Sequence, residues 1–507
     1  MFQENNNKRI AKNTLMLYFR MLLLLVISLY TSRVVLRELG VDDYGIYNVV
    51  GGIIVILSFL NGAMAAGTQR FMNIEMGRND MVALKKVFST SQQIHALVAF
   101  CMFAIAETVG VWFLNNYMNI PDGRISAANW VYQFSVISAI FGVFTVPYNA
   151  SIISHEKMSA FAYISIIEAS MKLIVAFAVI WSPFDKLIFY AVLILLIGVI
   201  NCGIYAFYCI RHFEECRYVI FAVDKNMMKQ MLSFSGWTVF GNFGYILHTQ
   251  GIAVVINVFF SVAVNAAQGI ANQVNGVVTQ FASNFLVALN PQVVKSYASG
   301  ELQQMHSLII RGCKMAFCLM SFFVIPLVLE APTILKAWLG VVPEYAVIFM
   351  RLVLIISLVN SFSSLLATSK GATGNIKNYQ ITLTLIGALH IPFVWLAFKL
   401  GCGPEYSMYV YLGLVVVLQI VRIVFVCRGV NMSMHLFVKD VVVKCMEVLV
   451  VSSVLPAILH MSLIPSFVST LIVGISSVLC VVVSTLYIAL TASERRVILK
   501  PILYRKK

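Results

Sequence analysis

Apolar residues fall into long unbroken runs separated by brief polar or basic stretches. A run of about 18 or more apolar residues reads as a membrane-spanning helix. About fourteen such runs occur, near 14–36, 44–66, 89–114, 128–153, 159–181, 187–210, 233–258, 262–290, 314–337, 345–368, 378–399, 406–427, 444–462 and 465–490. The eighth is the most polar, being rich in Asn and Gln. The longest connections are basic segments near 68–88 and 211–232, too short to fold as separate domains. The pattern predicts an all-α integral membrane protein.

Composition agrees. Of the 507 residues, 60% are hydrophobic and 11% charged, where a soluble chain carries about 25% charged residues. Soluble enzymes, disordered scaffolds and nucleic-acid binders are excluded together. The ten cysteines show no C-x-x-C pair and no zinc-type spacing with His. Most lie in apolar runs, where Cys acts as a small hydrophobe. Only Cys402 falls in a loop expected outside, so no disulfide and no metal site are expected. The first run is too long for a removable signal peptide and lacks a small-residue cleavage site, so it reads as an uncleaved span.

The formal charge of +15 takes its meaning from loop position. Cations concentrate in loops on the cytoplasmic side. Of the 36 Lys and Arg residues, six fall on one side: Arg33, Arg37, Arg124, Lys186, Lys336 and Lys399. Lys172, Arg351 and Arg422 stand inside spans. The remaining twenty-seven lie on the other side, which holds both ends of the chain. The expectation is a plasma-membrane (inner-membrane) protein with both termini cytoplasmic and no nucleic-acid partner.

An internal repeat is visible. A shift of 224 residues lays Gly45-Ile46-x-Asn48 on Gly269-Ile270-x-Asn272, and Gly52 on Gly276. The expected organisation is two six-helix lobes in parallel repeat, 1–212 and 213–430, with two further helices and a basic tail in 431–507. In such transporters the substrate path runs between the repeats near mid-membrane.

An ionisable side chain at the bilayer centre costs ~2.5–3.5 kcal/mol on insertion scales, so each one needs a reason. Glu168 and Lys172, at i and i+4, share a helix face with Ser165. They form either a self-neutralised packing pair or a site where Lys172 meets an anion and Glu168 tunes or protonates. Arg20 either snorkels or meets substrate. Arg351 either lines the lumen or pairs with an outer acid such as Glu344, and Arg422 snorkels. His248 is a packing histidine or a proton relay, and Glu107 is another candidate proton carrier. In the eighth span Asn265, Gln268, Asn272, Asn275, Thr279 and Ser283 recur at helical period. They form a polar stripe suited either to helix packing or to sugar hydroxyls in a water-filled cavity. Prolines within spans (Pro147, Pro326, Pro332, Pro392 and Pro456) permit kinks.

No phosphate-binding G-x-x-x-x-G-K-[ST], H-E-x-x-H or G-x-S-x-G motif occurs, and no outer loop is large enough for a catalytic centre. An enzyme and a bound cofactor are therefore not expected.

Certain local sequences resemble a known family. The first two spans are joined by Thr31-Ser-Arg-Val-Val-Leu-Arg-Glu-Leu-Gly40 and Val41-Asp-Asp-Tyr-Gly-Ile-Tyr47. Gly67-Thr-Gln-Arg-Phe71, Val146-Pro-Tyr-Asn149 and Ser154-His-Glu-Lys-Met158 follow. Together they resemble Wzx-type polysaccharide or O-antigen flippases of the multidrug/oligosaccharidyl-lipid/polysaccharide exporter superfamily. The resemblance implies a fourteen-helix, two-lobe transporter with a cationic lumen. It would flip an undecaprenyl-pyrophosphate-linked oligosaccharide by alternating access, driven by an ion gradient, beside other polysaccharide-assembly proteins. The lipid II flippase branch carries an Arg-Asp pair where Thr31-Ser32 stand here, which turns the expectation toward polysaccharide export. Two alternatives remain: a multidrug or cation extruder of the same fold, and an integral-membrane glycan polymerase.

Overall fold

The computed structural model describes residues 2–117, 120, 122–217, 224–260, 262–340, 342–491 and 494–495. Side chains at 2–12, most of 41–60, 243–250 and several positions around 29–36 and 253–266 lie outside that description. Among the described residues the chain is helical, with no strand.

The first unit contains α1 (Phe2–Gly77), α2 (Met81–Ile105), α3 (Val111–Tyr117), α4 (Ile125–Ser154), α5 (Met158–Ala178) and α6 (Lys186–His212). Next come α7 (Lys225–Phe259), α8 (Val262–Ala298), α9 (Leu302–Leu329), α10 (Ala331–Leu339), α11 (Ala346–Asn360) and α12 (Ser363–Ala372). The last are α13 (Lys377–Ala388), α14 (His390–Lys399), α15 (Tyr406–Gly429), α16 (Met434–Phe437), α17 (Lys444–Ser462) and α18 (Phe467–Ser484). The chain divides into two compact units within α7: Arg9–Val239, and Phe240–Lys507 with Met1–Lys8.

Ten helical stretches are long and apolar enough to cross a membrane, among the described residues. They match the third to sixth and ninth to fourteenth runs of the sequence. The first two runs lie in α1, the seventh in α7 and the eighth in α8, so all fourteen are helical. Their outer surfaces are greasy: Phe100, Ile174, Phe207 and Val450 are exposed, as suits helices solvated by lipid rather than water. The chain is a multi-pass membrane protein.

Three expectations change in detail. The predicted loop at 68–88 is mostly helix, because α1 runs to Gly77 and α2 begins at Met81. Basic residues are welcome on a helix that has left the hydrocarbon. Asp80 caps α2 by accepting from the Ala83 N–H at 2.9 Å, and the turn needs only three residues. Pro332 does not sit inside the ninth span but opens the short α10, where its missing N–H would have no partner anyway. The tenth span is broken, α11 ending at Asn360 and α12 starting at Ser363.

In the first unit α4 packs against α6 and α2, and α5 against α6. The interior is built on Val131, Tyr132, Val136, Ala176 and Leu187. Gly40 interrupts α1 with φ 78° and ψ 173°, a conformation that glycine reaches without penalty. In the second unit α9 packs against α8, α17 and α18. The α17–α18 hairpin is tied to it by buried Glu330. That carboxylate accepts from Thr470 Oγ1 at 2.8 Å and lies 2.6 Å from His460 Nδ1.

Single π-helical turns interrupt the regular helices at Ala106–Gly110 and Val438–Val443, and another ends α18 at Thr485–Ala489. Such a turn disturbs the i→i−4 ladder, and side chains from elsewhere reach the carbonyls. The Tyr132 hydroxyl donates to the Ala106 carbonyl at 2.8 Å. Lys314 Nζ donates to the Ala489 carbonyl at 2.7 Å. A methyl group at Gly110 would overlap the Tyr132 hydroxyl. Gly110→Ala is expected to destabilise the protein by ~1–3 kcal/mol, read as a lower thermal-unfolding midpoint in detergent. Adding Tyr132→Phe should recover part of the loss, and a Gly110→Ala midpoint equal to wild type would refute this packing.

Candidate functional site

A cavity of about 470 Å³ opens within the first unit, between α1, α5 and α6. Its wall carries Arg20, Thr31, Ser165, Glu168, Lys172 and Tyr190. Helical period explains the assembly. Arg20, Leu24, Ile27 and Thr31 recur along one face of α1, and Ser165, Glu168 and Lys172 along one face of α5. Three residues nominated from the sequence, Arg20, Glu168 and Lys172, thus meet in one place.

Their partners define the chemistry. Lys172 Nζ donates to Glu168 Oε1 at 2.6 Å, and Asn201 Nδ2 of α6 donates to Glu168 Oε2 at 3.1 Å. Both oxygens of Glu168, the only acid in the wall among the described residues, are therefore engaged. Arg20 Nη1 donates to Ser165 Oγ at 3.2 Å, and its guanidinium lies 4.3 Å from the Phe161 ring centroid. No carboxylate contacts Arg20 among the described residues. Its Nε and the Thr31 hydroxyl are buried without a hydrogen-bond partner. With one acid and two bases, the wall carries one net positive charge beside unsatisfied polar atoms. Buried polar atoms of this kind ordinarily find a partner, so the cavity suits a polar anion.

One end of the unit is fastened by ion pairs. Arg124, just before α4, bridges Asp43 of α1 and Asp185, the N-cap of α6. Its Nε donates to Asp43 Oδ1 at 2.8 Å. Asp185 also accepts from the Leu187 and Ile188 N–H groups at 3.0 and 3.1 Å. Beside it Lys186 and Arg37 share Glu38, at 3.2 and 2.9 Å. The Tyr47 and Tyr190 rings meet edge-on, centroids 5.0 Å apart, and both border the cavity. The local sequence from Arg37 to Tyr47 thus has a physical account, with Arg37 on Glu38, Gly40 at the break, Asp43 on Arg124 and Tyr47 on the cavity wall.

The other nominated residues lie elsewhere. Arg351 is in the second unit and contacts neither the cavity nor Glu344. Its Nε donates to the Val328 carbonyl at 2.9 Å and its Nη2 to that of Leu329 at 3.5 Å, at the C-terminal end of α9, where unpaired carbonyls collect. Arg422 does not snorkel. It is held by Tyr379 OH at 3.1 Å, Gln419 Oε1 at 3.0 Å and Ser363 Oγ. Glu107 lies in the first π turn and accepts from Gln133 at 3.0 Å, away from the cavity. The side chains of His248 and Asn265 fall outside the described residues.

The polar stripe of α8 divides. Gln268 is buried, Asn275 and Thr279 are half-buried, and Asn272 and Ser283 are exposed. Thr279 Oγ1 donates to the Asn275 carbonyl of its own helix at 2.9 Å. Gln273 and Gln280, absent from the sequence nomination, join Asn272 and Ser283 on the exposed surface. Exposed amides in this number need water rather than lipid around them.

Residues not nominated from sequence are Asn201, Tyr47, Tyr190, and the Asp43, Arg124 and Asp185 clasp. Asn201 carried the available signal of an amide in an apolar run.

Neither a protein-family model nor a curated protein matches the sequence. Solved structures do match. A MATE structure in the bent conformation aligns at TM-score 0.72 and 13% identity, over 86% of this chain and 97% of that one. An outward-facing multidrug-resistance MATE family transporter of the MOP superfamily aligns at TM-score 0.70 and 13% identity, over 85% and 96%. A MOP superfamily transporter from Pyrococcus furiosus, whose pocket is described as having reverse polarity, aligns at TM-score 0.70 and 12% identity, over 85% and 96%. The fold is that of the MATE transporters.

The clasp generates a prediction with a sign. Burial opposes ionising Asp185, but the Arg124 hydrogen bond and the Ile188 and Leu187 N–H groups outweigh it, holding the carboxyl below its ordinary 3.8. A carboxyl lowered in the folded state stabilises at pH above its unfolded value, and that contribution is lost as pH falls through the folded value. Thermal stability should therefore drop more steeply below pH 4 in wild type than in Asp185→Asn. Arg124→Ala should cost about 1–3 kcal/mol at neutral pH, between the values for exposed and buried pairs. An unchanged midpoint in Arg124→Ala would show that the clasp carries no load.

Proposed function

We propose that the protein moves a lipid-linked oligosaccharide bearing a pyrophosphate across the plasma membrane by alternating access, for export of a surface polysaccharide. The observation that carries this reading is the cavity wall. Arg20 has no carboxylate partner among the described residues, Lys172 lines the same cavity from α5, and the hydroxyls of Ser165 and Thr31 line it with them. Pyrophosphate calls for cations, and sugar calls for hydroxyl and amide groups. A cavity of about 470 Å³ falls in the usual range for small-molecule sites, roughly 300–1,000 Å³. The MATE fold supports membrane transport, and the local resemblance around Arg37–Tyr47 supports the polysaccharide branch. The cytoplasmic placement of both termini rests on the distribution of Lys and Arg.

A multidrug or cation extruder is the second reading, favoured by the MATE multidrug transporter among the structural neighbours. Fold does not fix substrate. A cation binder would need a free acid in the cavity, and Glu168 already has a partner on each oxygen.

Deletion should cause undecaprenyl-linked repeat units to accumulate facing the cytoplasm, measured by mass spectrometry of extracted lipids. Normal surface polysaccharide in a deletion strain without a redundant flippase would sink the proposal, and a raised sensitivity to cationic dyes would favour the extruder. Lys172→Ala and Arg20→Ala should each abolish export while leaving folded protein in the membrane. Full export by Lys172→Ala would return the pair to a packing role. Adding Glu168→Ala to Lys172→Ala should not restore export, whereas a packing pair would show partial rescue.

A further inference from the structure

A second cationic feature lies in the other unit, where α12 ends and α15 comes to its C-terminus. Arg422 is half-buried in a membrane-spanning helix, and all its hydrogen-bond partners are neutral: Tyr379, Ser363 and Gln419. Its Nη2 has no partner among the described residues. A charge in such a place is normally paired with an opposite charge. Here the sequence supplies none nearby. From Ala346 to Lys439 the only acid is Glu405, at the opposite end of α15, before Tyr406.

A second cation shares that face. Lys370, in the last turn of α12, brings its Nζ within 3.0 Å of the position that a Cβ would take at Gly429. Gly429 lies seven residues beyond Arg422, which is two helical turns or about 10 Å along the same face. Neither Lys370 nor Arg422 has a carboxylate partner among the described residues. The polar groups around the α11–α12 break are neutral and leave donors unused. Gln419 Nε2 is buried without a partner, and so is the Ser361 hydroxyl, on residues that are 5% and 8% exposed. The cluster is positively charged, without a carboxylate among the described residues, and built across three helices.

We propose that this face of α15 is a phosphate-recognition site, with Arg422 and Lys370 as its charged contacts and Tyr379, Ser363 and Gln419 holding the guanidinium in place. It shares no residue with the cavity of the first unit and does not depend on the function proposed for that cavity. The phosphate can come from a lipid headgroup or from a soluble anion, and the same chemistry serves both.

The test is isothermal titration of the full chain in neutral-detergent micelles, in a background carrying Arg20→Ala and Lys172→Ala so that the first cavity is silent. The probes are inorganic pyrophosphate, phosphatidylglycerol and farnesyl pyrophosphate. At least one should bind. Arg422→Gln should weaken that binding at least tenfold and Lys370→Gln several-fold. Arg422→Lys should stay within a few-fold of the parent, and Arg428→Gln should have no effect. Binding of pyrophosphate alone identifies a soluble source, and binding confined to the two lipids identifies a membrane source. The proposal is overturned if no probe binds, or if binding survives both Arg422→Gln and Lys370→Gln. Lys370 donates no hydrogen bond within the cluster, so Lys370→Gln remains a folded test even if Arg422→Gln does not fold.

Discussion

Charge inside hydrocarbon is the constraint on which the rest of the structure turns. Lipid offers no hydrogen bonds, so every ionisable group on a spanning helix has to be met by protein, by water or by a ligand. Four solutions are visible. Lys172 and Glu168 answer each other, with Asn201 completing the carboxylate. Arg351 answers the bare carbonyls at the end of α9. Glu330 is held by a histidine and a threonine from the last two helices. Arg20 and Arg422 have only neutral partners, and each retains donor capacity. The acids Glu168 and Glu330 have a partner on each oxygen, whereas the two arginines retain unused donors, which is why each anchors a functional argument.

Much of this was legible in the sequence because membranes simplify the code. Run length gave fourteen helices, and all fourteen are helical. Position within a run was enough to nominate Arg20, Glu168 and Lys172, since a polar residue is conspicuous on an apolar background. What stayed hidden was pairing across the chain. Arg124 meets Asp43 from 81 residues away, and Asn201 meets Glu168 from 33. No local pattern announces either contact. The partners of Arg351 and Arg422 are hidden for the same reason. The depth of each arginine could be estimated from sequence, but not which backbone carbonyl or tyrosine lay opposite.

The stripe on α8 shows a different limit. Helical period placed Gln268, Asn272, Asn275, Thr279 and Ser283 on one side of the helix. Packing then drew the line between buried and exposed through the middle of that set. Spacing at three and four residues sweeps a broad arc, and burial depends on where neighbouring helices touch it. Gln273 and Gln280, which fell just outside the counted period, share the exposed surface. An amphipathic face in a membrane protein is better defined by what borders water than by the strictness of a repeat.

The π turns bear on this directly. A π turn inside a helix takes up one extra residue, so the sequence period beyond it is shifted by about 100° relative to an ideal continuation. In the stretch from Met81 to Asn116 the turn at Ala106–Gly110 resets the phase, and Glu107 sits within the reset. A periodicity read from the start of that helix therefore assigns the wrong azimuth to everything past Ile105. The same holds for α17 beyond the turn at Val438–Val443, whereas the turn at Thr485–Ala489 ends α18. The donors from Tyr132 and Lys314 meet carbonyls of two of these turns, so each turn is also a point of contact between helices.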